Sequence, residues 1–387
     1  MIYNLIATTA FGIESVLARE LDAIGVTEHS TLNGRIYYKG DDEVLAKSNI
    51  MLRTADRILL NMAEFKALSF EELFQNVKKI EWEKYLPKNA SFIVNARSQK
   101  SKIFSLRDIQ AITKKAIAER LKAAYNLEWI EETGPRYDIE AVFMNDNVII
   151  TMDTSGHGLH KRGYRQEVGA APIKETLAAA LIMLSRWRKD RALLDPFCGS
   201  GTIAIEAAMI GMNIAPGLNA EFAAEKWSFI DQKVWYNVRK EAREAIDNDI
   251  ELKIFCSDID YYQLKLAKKH AEIAGVGGKI HFQKLDYKET GSRFEYGFII
   301  TNPPYGERLL EKKAAEEIYR GMGKHFPTFK TWSYYVITSD EDFEKLFGRK
   351  ADKKRKLYNG ALKCDYYQFY GPKPPKENRD GRKENDL

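Results

Sequence analysis

The chain has 387 residues, a formal net charge of +5, 44% hydrophobic and 30% charged residues, which is ordinary globular composition and enough length for two or three domains that each bury a core. No apolar stretch approaches the length of a bilayer span, and no basic segment precedes the apolar residues at the N-terminus, so neither a membrane protein nor a signal peptide is expected. Three cysteines far apart in sequence give neither a metal-ligand spacing nor an even disulfide set, and a cytoplasmic protein without membrane or metal is the default expectation.

In chain order, residues 2–7 read as a strand, residues 13–24 as a helix closed by Gly25, and Asn33-Gly34 as a turn before a strand over 35–39. From about residue 43 to 155 the pattern is α+β. A strand is expected over 91–97, a helix over 106–125 behind Ser105, and a hairpin of 138–143 with 148–153 around Asn145, Asp146 and Asn147. Eight basic residues between Arg97 and Lys122, among them Lys100, Lys102, Arg107, Lys114 and Lys115, face only Asp108 and Glu119. Seven more lie between Lys345 and Lys356 against Asp352, and Lys161, Arg162 and Arg165 flank Gly163 and Tyr164. Basic clusters interleaved with aromatics are the footprint of a nucleic-acid partner, although a single basic run is as often a solvated helix face.

From about residue 156 to 375 the pattern becomes strand, glycine turn, helix. Residues 191–194 lead into Asp195, Pro196, Phe197, Cys198, Gly199, Ser200, Gly201 and Thr202, and a helical pattern follows. Gly199 and Gly201 allow close backbone approach to a ligand. By itself this turn fits a dinucleotide site equally well, but a carboxylate ahead of the glycines repels a pyrophosphate and suits a ligand's ammonium group. The next strand, over 252–258, ends at Asp258, placed to accept from both ribose hydroxyls, with Ile259 placed to pack on an adenine face. A third strand over 279–285 ends at Asp286, placed to accept from an adenine amine. For either acid alone the alternative is a helix N-cap. The late second strand makes the stretch around 213–250 an insertion, as consistent with a lid or substrate wall as with a packed extension.

An apolar strand over 296–300 then runs into Thr301 and the tetrapeptide Asn302-Pro303-Pro304-Tyr305. Ligands of open α/β sheets bind at such strand ends. The prolines stiffen the backbone and donate no hydrogen bond. The Asn302 side-chain oxygen and the Pro303 carbonyl thus become two acceptors beside an aromatic ring, a set that suits a planar base with an exocyclic NH2. Held by both protons, that amine turns its lone pair toward an electrophile, here a bound methyl donor.

Lys161-Arg162-Gly163-Tyr164-Arg165, the run from Ala171, Pro172, Ile173, Lys174, Glu175 and Thr176 to Ala180, the glycine turn, and Asn302 through Gly306, Glu307, Arg308 and Leu309 together resemble one family. It is the THUMP-domain, class I S-adenosylmethionine-dependent guanine-N2 methyltransferases of large-subunit ribosomal RNA. The resemblance spans roughly residues 1–370. It implies a Rossmann-like α/β class I methyltransferase domain preceded by an α+β THUMP-containing RNA-binding region. The expected divisions are a ferredoxin-like part over 1–42, THUMP over 43–155, methyltransferase over 156–375 and a polar tail over 376–387. S-adenosylmethionine is the implied cofactor, held by Asp195, Phe197, Gly199, Ser200, Gly201, Thr202, Asp258, Ile259 and Asp286 with Lys174 and Glu175. Asn302, Pro303, Pro304 and Tyr305 are the implied catalytic set, with Tyr305 stacking on the base. Ribosomal RNA or its precursor is the implied partner, contacted through Lys100, Lys102, Arg107, Lys114, Lys115, Arg162 and Arg165. Many bacterial members continue into a second methyltransferase domain, and only the first-half activity is expected of this chain. Glu307 and Arg308 could read a guanine edge or form a surface ion pair. A tRNA guanine-N2 methyltransferase is the nearest alternative; a DNA amino-methyltransferase and an inactive RNA-binding scaffold are more distant. Oligomeric state is left open.

Overall fold

The computed structural model describes residues 1–165, 173–305 and 309–375, and only the backbone of Leu309 and Leu310. Ala171, Pro172, Gly306, Glu307, Arg308 and the tail over 376–387, all part of the expectations above, lie outside the described residues. The chain divides into two compact units: Met1–Thr9 with Glu14–Arg162 and Ala215–Ala245, and Ala10–Ile13 with Gly163–Ile214 and Ile246–Leu387.

The first unit contains β1 (Tyr3–Thr8), α1 (Glu14–Ala23), β2 (His29–Leu32), β3 (Arg35–Gly40), α2 (Asp42–Met51), β4 (Arg57–Lys66), α3 (Phe70–Lys79), β5 (Ser91–Gln99), α4 (Leu106–Tyr125), β6 (Arg136–Met144) and β7 (Asn147–Asp153). Its strands form one sheet in the order β2-β3-β1-β4-β7-β6-β5. Asn145 and Asp146 both take positive φ, 50° and 62°, which closes the β6–β7 hairpin with a two-residue turn whose twist matches the strands. The expected break at 42/43 cuts through this sheet: β1 is bonded on one side to β3 and on the other to β4, with Leu5 opposite Leu60. β4 also pairs with β7, so the N-terminal strands and the THUMP strands are continuous.

The second unit follows with α5 (Glu175–Ser185), β8 (Leu193–Asp195), α6 (Thr202–Gly211), then α7 (Gln232–Glu244, which belongs to the first unit), β9 (Ile254–Asp258), α8 (Tyr261–Ile273), β10 (Ile280–Lys284), β11 (Phe298–Thr301), α9 (Leu309–His325), β12 (Ser333–Thr338), α10 (Phe343–Phe347), β13 (Lys353–Asn359) and β14 (Leu362–Phe369). Its sheet runs β10-β9-β8-β11-β12-β14-β13, with β14 antiparallel to β12 and the first five strands parallel. The order reverses between β8 and β11, the adjacent parallel strands that carry Asp195 and Thr301 at their C-terminal ends, which is where doubly wound sheets open a crevice. An aromatic core that includes Tyr319, Phe326, Trp332, Phe343 and Phe369 packs one face near β11 and β12.

The insertion is a packed extension of the first unit, not a lid. Trp227 is fully buried, stacks on Tyr137 at 5.0 Å between ring centroids and donates its indole N–H to the Arg136 carbonyl. Lys47 on α2 pairs with Glu241 on α7 at 3.4 Å.

Candidate active site

The loop from β8 to α6 is built by its glycines for two different reasons. Gly201 takes φ +83°, and a Cβ there would lie 2.9 Å from the Ala267 side chain on α8, so its lack of a side chain serves helix packing. Gly199 takes φ +49° with open space where a Cβ would project, leaving its backbone approachable by a ligand. The Gly199 N–H donates to Asp258 Oδ2 at 2.9 Å, and the Asp260 N–H donates to Asp258 Oδ1 at 2.9 Å. Two backbone amides thus orient the Asp258 carboxylate at the end of β9. The helix N-cap of α8 is Asp260 instead, so Asp258 is not the cap. Beside it Ile259 stands 67% exposed, an apolar side chain without cover at the place an adenine face would take. Asp286 does cap: its Oδ1 accepts from the Lys288 N–H at 2.9 Å and starts a 3-10 turn over Tyr287–Glu289. Capping engages one of its oxygens and is compatible with a ligand contact through the other. Phe197 is half-buried with its ring centroid 5.0 Å from that of Tyr287. Ser200 offers its carbonyl to His270 at 3.2 Å.

Asp195 is only 1% exposed, and its Oδ1 accepts from Thr301 Oγ1 at 2.6 Å and from the Phe197 N–H at 3.2 Å. This bond ties the end of β8 to the residue preceding Asn302. Burial pushes the Asp195 carboxyl from 3.8 up to about 7, against the two donated hydrogen bonds and with added repulsion from Asp258. Near neutral pH this carboxyl is therefore poised between its two forms, and a cation placed against it favours the ionised one. If Asp195 meets the cofactor's ammonium, binding at pH 6 must release a proton. Cofactor affinity should then fall as pH drops below about 7, by up to about tenfold per unit. Titration calorimetry between pH 6 and 8 in buffers of different ionisation heat checks this, and a pH-independent affinity would remove Asp195 from that role.

Two of the residues expected to contact RNA are engaged within the protein. The Arg162 guanidinium donates to the Leu159 and Arg53 carbonyls. Arg165 donates to the Ile173 carbonyl and to Thr202 Oγ1, both at 2.9 Å, and lies 3.5 Å from the Glu175 carboxylate, itself 3% exposed. Both cations tie loops together within their own units. Glu175 and Thr202, expected at the cofactor, are accordingly engaged by Arg165, and Lys174 is the N-cap residue of α5. In the first unit Lys100, Lys102 and Arg107 are exposed, with no ion pair among the described residues, whereas Lys114 pairs with Glu132 at 2.9 Å and Lys115 lies 4.0 Å from Glu119. Phe104, 77% exposed amid these cations, was not singled out from the sequence; an aromatic inside a basic loop was the available signal. The 345–356 run is also partly neutralised, by Arg349 with Asp352 and Lys354 with Asp365.

At the end of β11, Asn302 is half-buried, Pro303 buried and Pro304 exposed. The Tyr305 hydroxyl donates to Asn302 Oδ1, and the same oxygen lies 3.9 Å from the Cys364 sulfur on β14. Tyr305 is thus not standing as an open stacking platform; its hydroxyl occupies the acceptor expected to receive an amine. Burial holds that phenol far above its usual range, so it stays a neutral donor. The Pro304 carbonyl accepts from Tyr319 Oη at 2.8 Å, while no described residue donates to the Pro303 carbonyl.

The sequence profile of the RMKL-like methyltransferase domain matches residues 162–368, that of an RlmL ferredoxin-like domain residues 4–59, and that of the THUMP domain residues 67–153. The chain belongs to the RMKL-like methyltransferase family. The resemblance drawn from its motifs therefore holds, with a THUMP-containing region before a class I methyltransferase domain. "Putative RNA methyltransferase YpsC" of Bacillus subtilis (strain 168) is 49% identical over 379 residues, 97% of this chain and 98% of that one. "Ribosomal RNA large subunit methyltransferase K/L" of Psychromonas ingrahamii is 34% identical over 377 residues, 95% of this chain but 50% of that protein, so the chain spans half that relative's length. The crystal structure of SMU.472, solved complexed with SAH, matches with a TM-score of 0.92 at 47% identity over 96% of this chain and 99% of that one. The protein is an S-adenosylmethionine-dependent methyltransferase. Its oriented Asp258 carboxylate, uncovered Ile259 and approachable Gly199 fit that cofactor. Among the described residues no helix is long and apolar enough to cross a membrane.

Proposed function

We propose that the protein transfers one methyl group from S-adenosylmethionine to the exocyclic N2 of a guanine in large-subunit (23S) ribosomal RNA or its precursor. The observation that carries this is the acceptor at the end of β11, Asn302 Oδ1, joined through Thr301 to the Asp195 carboxylate at the end of the glycine-loop strand. The cofactor supplies an electrophilic methyl on a sulfonium. Asn302 Oδ1 and the Pro303 carbonyl accept hydrogen bonds from the two amine N–H groups, which fixes the nitrogen lone pair for in-line attack; positioning of this kind is the main catalytic term. The Tyr305 hydroxyl leaves Asn302 when the amine arrives, and its ring is then free to meet the base. The methylated nitrogen is cationic and loses its proton to water, so no strong base is needed. The acceptor pair fits any exocyclic amine. Guanine N2 follows from the likeness of the motif strings to enzymes of that specificity, and large-subunit RNA from the K/L relative. Mass-spectrometric mapping of rRNA and tRNA from cells lacking the protein tests the assignment. Loss of one N2-methylguanine from large-subunit rRNA is expected, and loss from tRNA alone would favour a tRNA enzyme.

The first unit binds RNA through Lys100, Lys102 and Arg107, with Phe104 among them as a surface for an unpaired base. Replacing the three cations with Ala should weaken RNA binding and lower the slope of log affinity against log salt by roughly 0.7–0.9 per lost phosphate contact. Cofactor affinity should not change. The same replacement of Lys114 and Lys115 should do less, because carboxylates already neutralise them. An RNA affinity indifferent to the triple change would make the cluster a solvated face.

A further inference from the structure

Two consecutive prolines give the catalytic loop carbonyls but no N–H groups, so the loop can be anchored there only by a donor from outside. The structure provides one. Tyr319 on α9 is fully buried, packs edge-on against Phe343 at 5.1 Å, and places its hydroxyl 2.8 Å from the Pro304 carbonyl and 3.0 Å from Thr338 Oγ1 at the end of β12. Thr338, also fully buried, accepts from the Asp340 N–H at 3.1 Å.

The proton order of this chain is forced. A carbonyl only accepts, so the single proton of Tyr319 points at Pro304, and the phenol oxygen must then accept from Thr338. Thr338 in turn accepts from the backbone of Asp340. The chain therefore runs in one direction, from the end of β12 to the catalytic loop, and each bond polarises the next.

We propose that Tyr319 and Thr338 are positioning residues for methyl transfer. They hold the Pro304 carbonyl away from the substrate and so leave the Pro303 carbonyl as the second acceptor for the amine. This rests on the reading of Asn302 as the first acceptor. Neither residue touches substrate or cofactor; both act through the backbone of the proline pair.

Tyr319→Phe keeps the ring and removes only the hydroxyl. In the full-length protein, well below its melting temperature, kcat for methyl transfer to rRNA should fall at least tenfold, with the SAH dissociation constant and the RNA KM within about twofold of wild type. Thr338→Val should lower kcat in the same way, Thr338→Ser should restore it, and Tyr319→Phe with Thr338→Val should be no worse than Tyr319→Phe alone. Unchanged kcat in Tyr319→Phe, or equal loss in Thr338→Ser and Thr338→Val, would overturn the proposal. A lowered melting temperature with full kcat would do so too, since that is a structural role alone. Asn302→Ala run in parallel separates the two claims. If it is inactive while Tyr319→Phe is fully active, only the positioning fails. If it is fully active, the amine-holding role fails, and Tyr319→Phe still decides whether the loop's position matters.

Discussion

Asn302→Ala should reduce methyl transfer a hundredfold or more while binding of S-adenosylmethionine survives largely intact. The side chain stands at the end of β11, where the parallel neighbours β8 and β12 and the Thr301–Asp195 bond fix the backbone. In the proposed mechanism its oxygen is the acceptor that turns an exocyclic amine so that its lone pair faces the methyl group. Loss of one well-placed polar group of this kind costs about 10²–10³ in rate. The residues proposed to hold the cofactor, Gly199, Asp258 and Ile259, belong to other strand ends and should keep their places. Single-turnover transfer of labelled methyl with SAH calorimetry on the same preparation checks both halves. Wild-type transfer in the variant would mean the amine is held elsewhere.

Asp258→Ala should lower cofactor affinity by at least about a hundredfold, because a charge-assisted hydrogen bond contributes about 1.5–3 kcal/mol and the carboxylate has outer lone pairs for two ribose hydroxyls. The substitution also removes the acceptor of the Gly199 N–H, and with it the tie that holds the φ +49° turn. Asp258→Asn, which keeps one acceptor, should fall between the two. Calorimetry with SAH decides it, and equal affinity in wild type and Asp258→Ala would remove this residue from the cofactor site.

Much of the methyltransferase half is legible in the sequence. β9 and β11 are short, largely apolar runs that end at Asp258 and just before Asn302, β10 ends two residues before Asp286, and the glycine turn before α6 has its own signature. What could not be read has physical reasons. β4 carries a bulge between Asn61 and Ala63 and is buried at its start and exposed at its end, so it shows no clean alternation, and missing it put a boundary at 42 where the sheet continues. The insertion of β14 antiparallel between β12 and β13 is a matter of pairing, which no local pattern encodes. Arg162 and Arg165 look like phosphate ligands beside Tyr164, yet an arginine reads the same whether its guanidinium faces solvent or buried carbonyls. The approach of the Tyr305 hydroxyl to Cys364 and the hydroxyl chain behind Pro304 are likewise invisible, because they join residues on separate elements. Trp227 is the converse case: its place on Tyr137 turns an unreadable insertion into part of the first unit's core.

The central claim is that the acceptor site at Asn302 presents a guanine amine of large-subunit RNA to the cofactor's methyl group. Its most direct test is transfer of labelled methyl from S-adenosylmethionine to deproteinised rRNA, with the labelled nucleosides identified after digestion. N2-methylguanine as the labelled product, from the large subunit and absent with Asn302→Ala, is the predicted result. Label in N6-methyladenine, or label in tRNA with none in large-subunit rRNA, would contradict it.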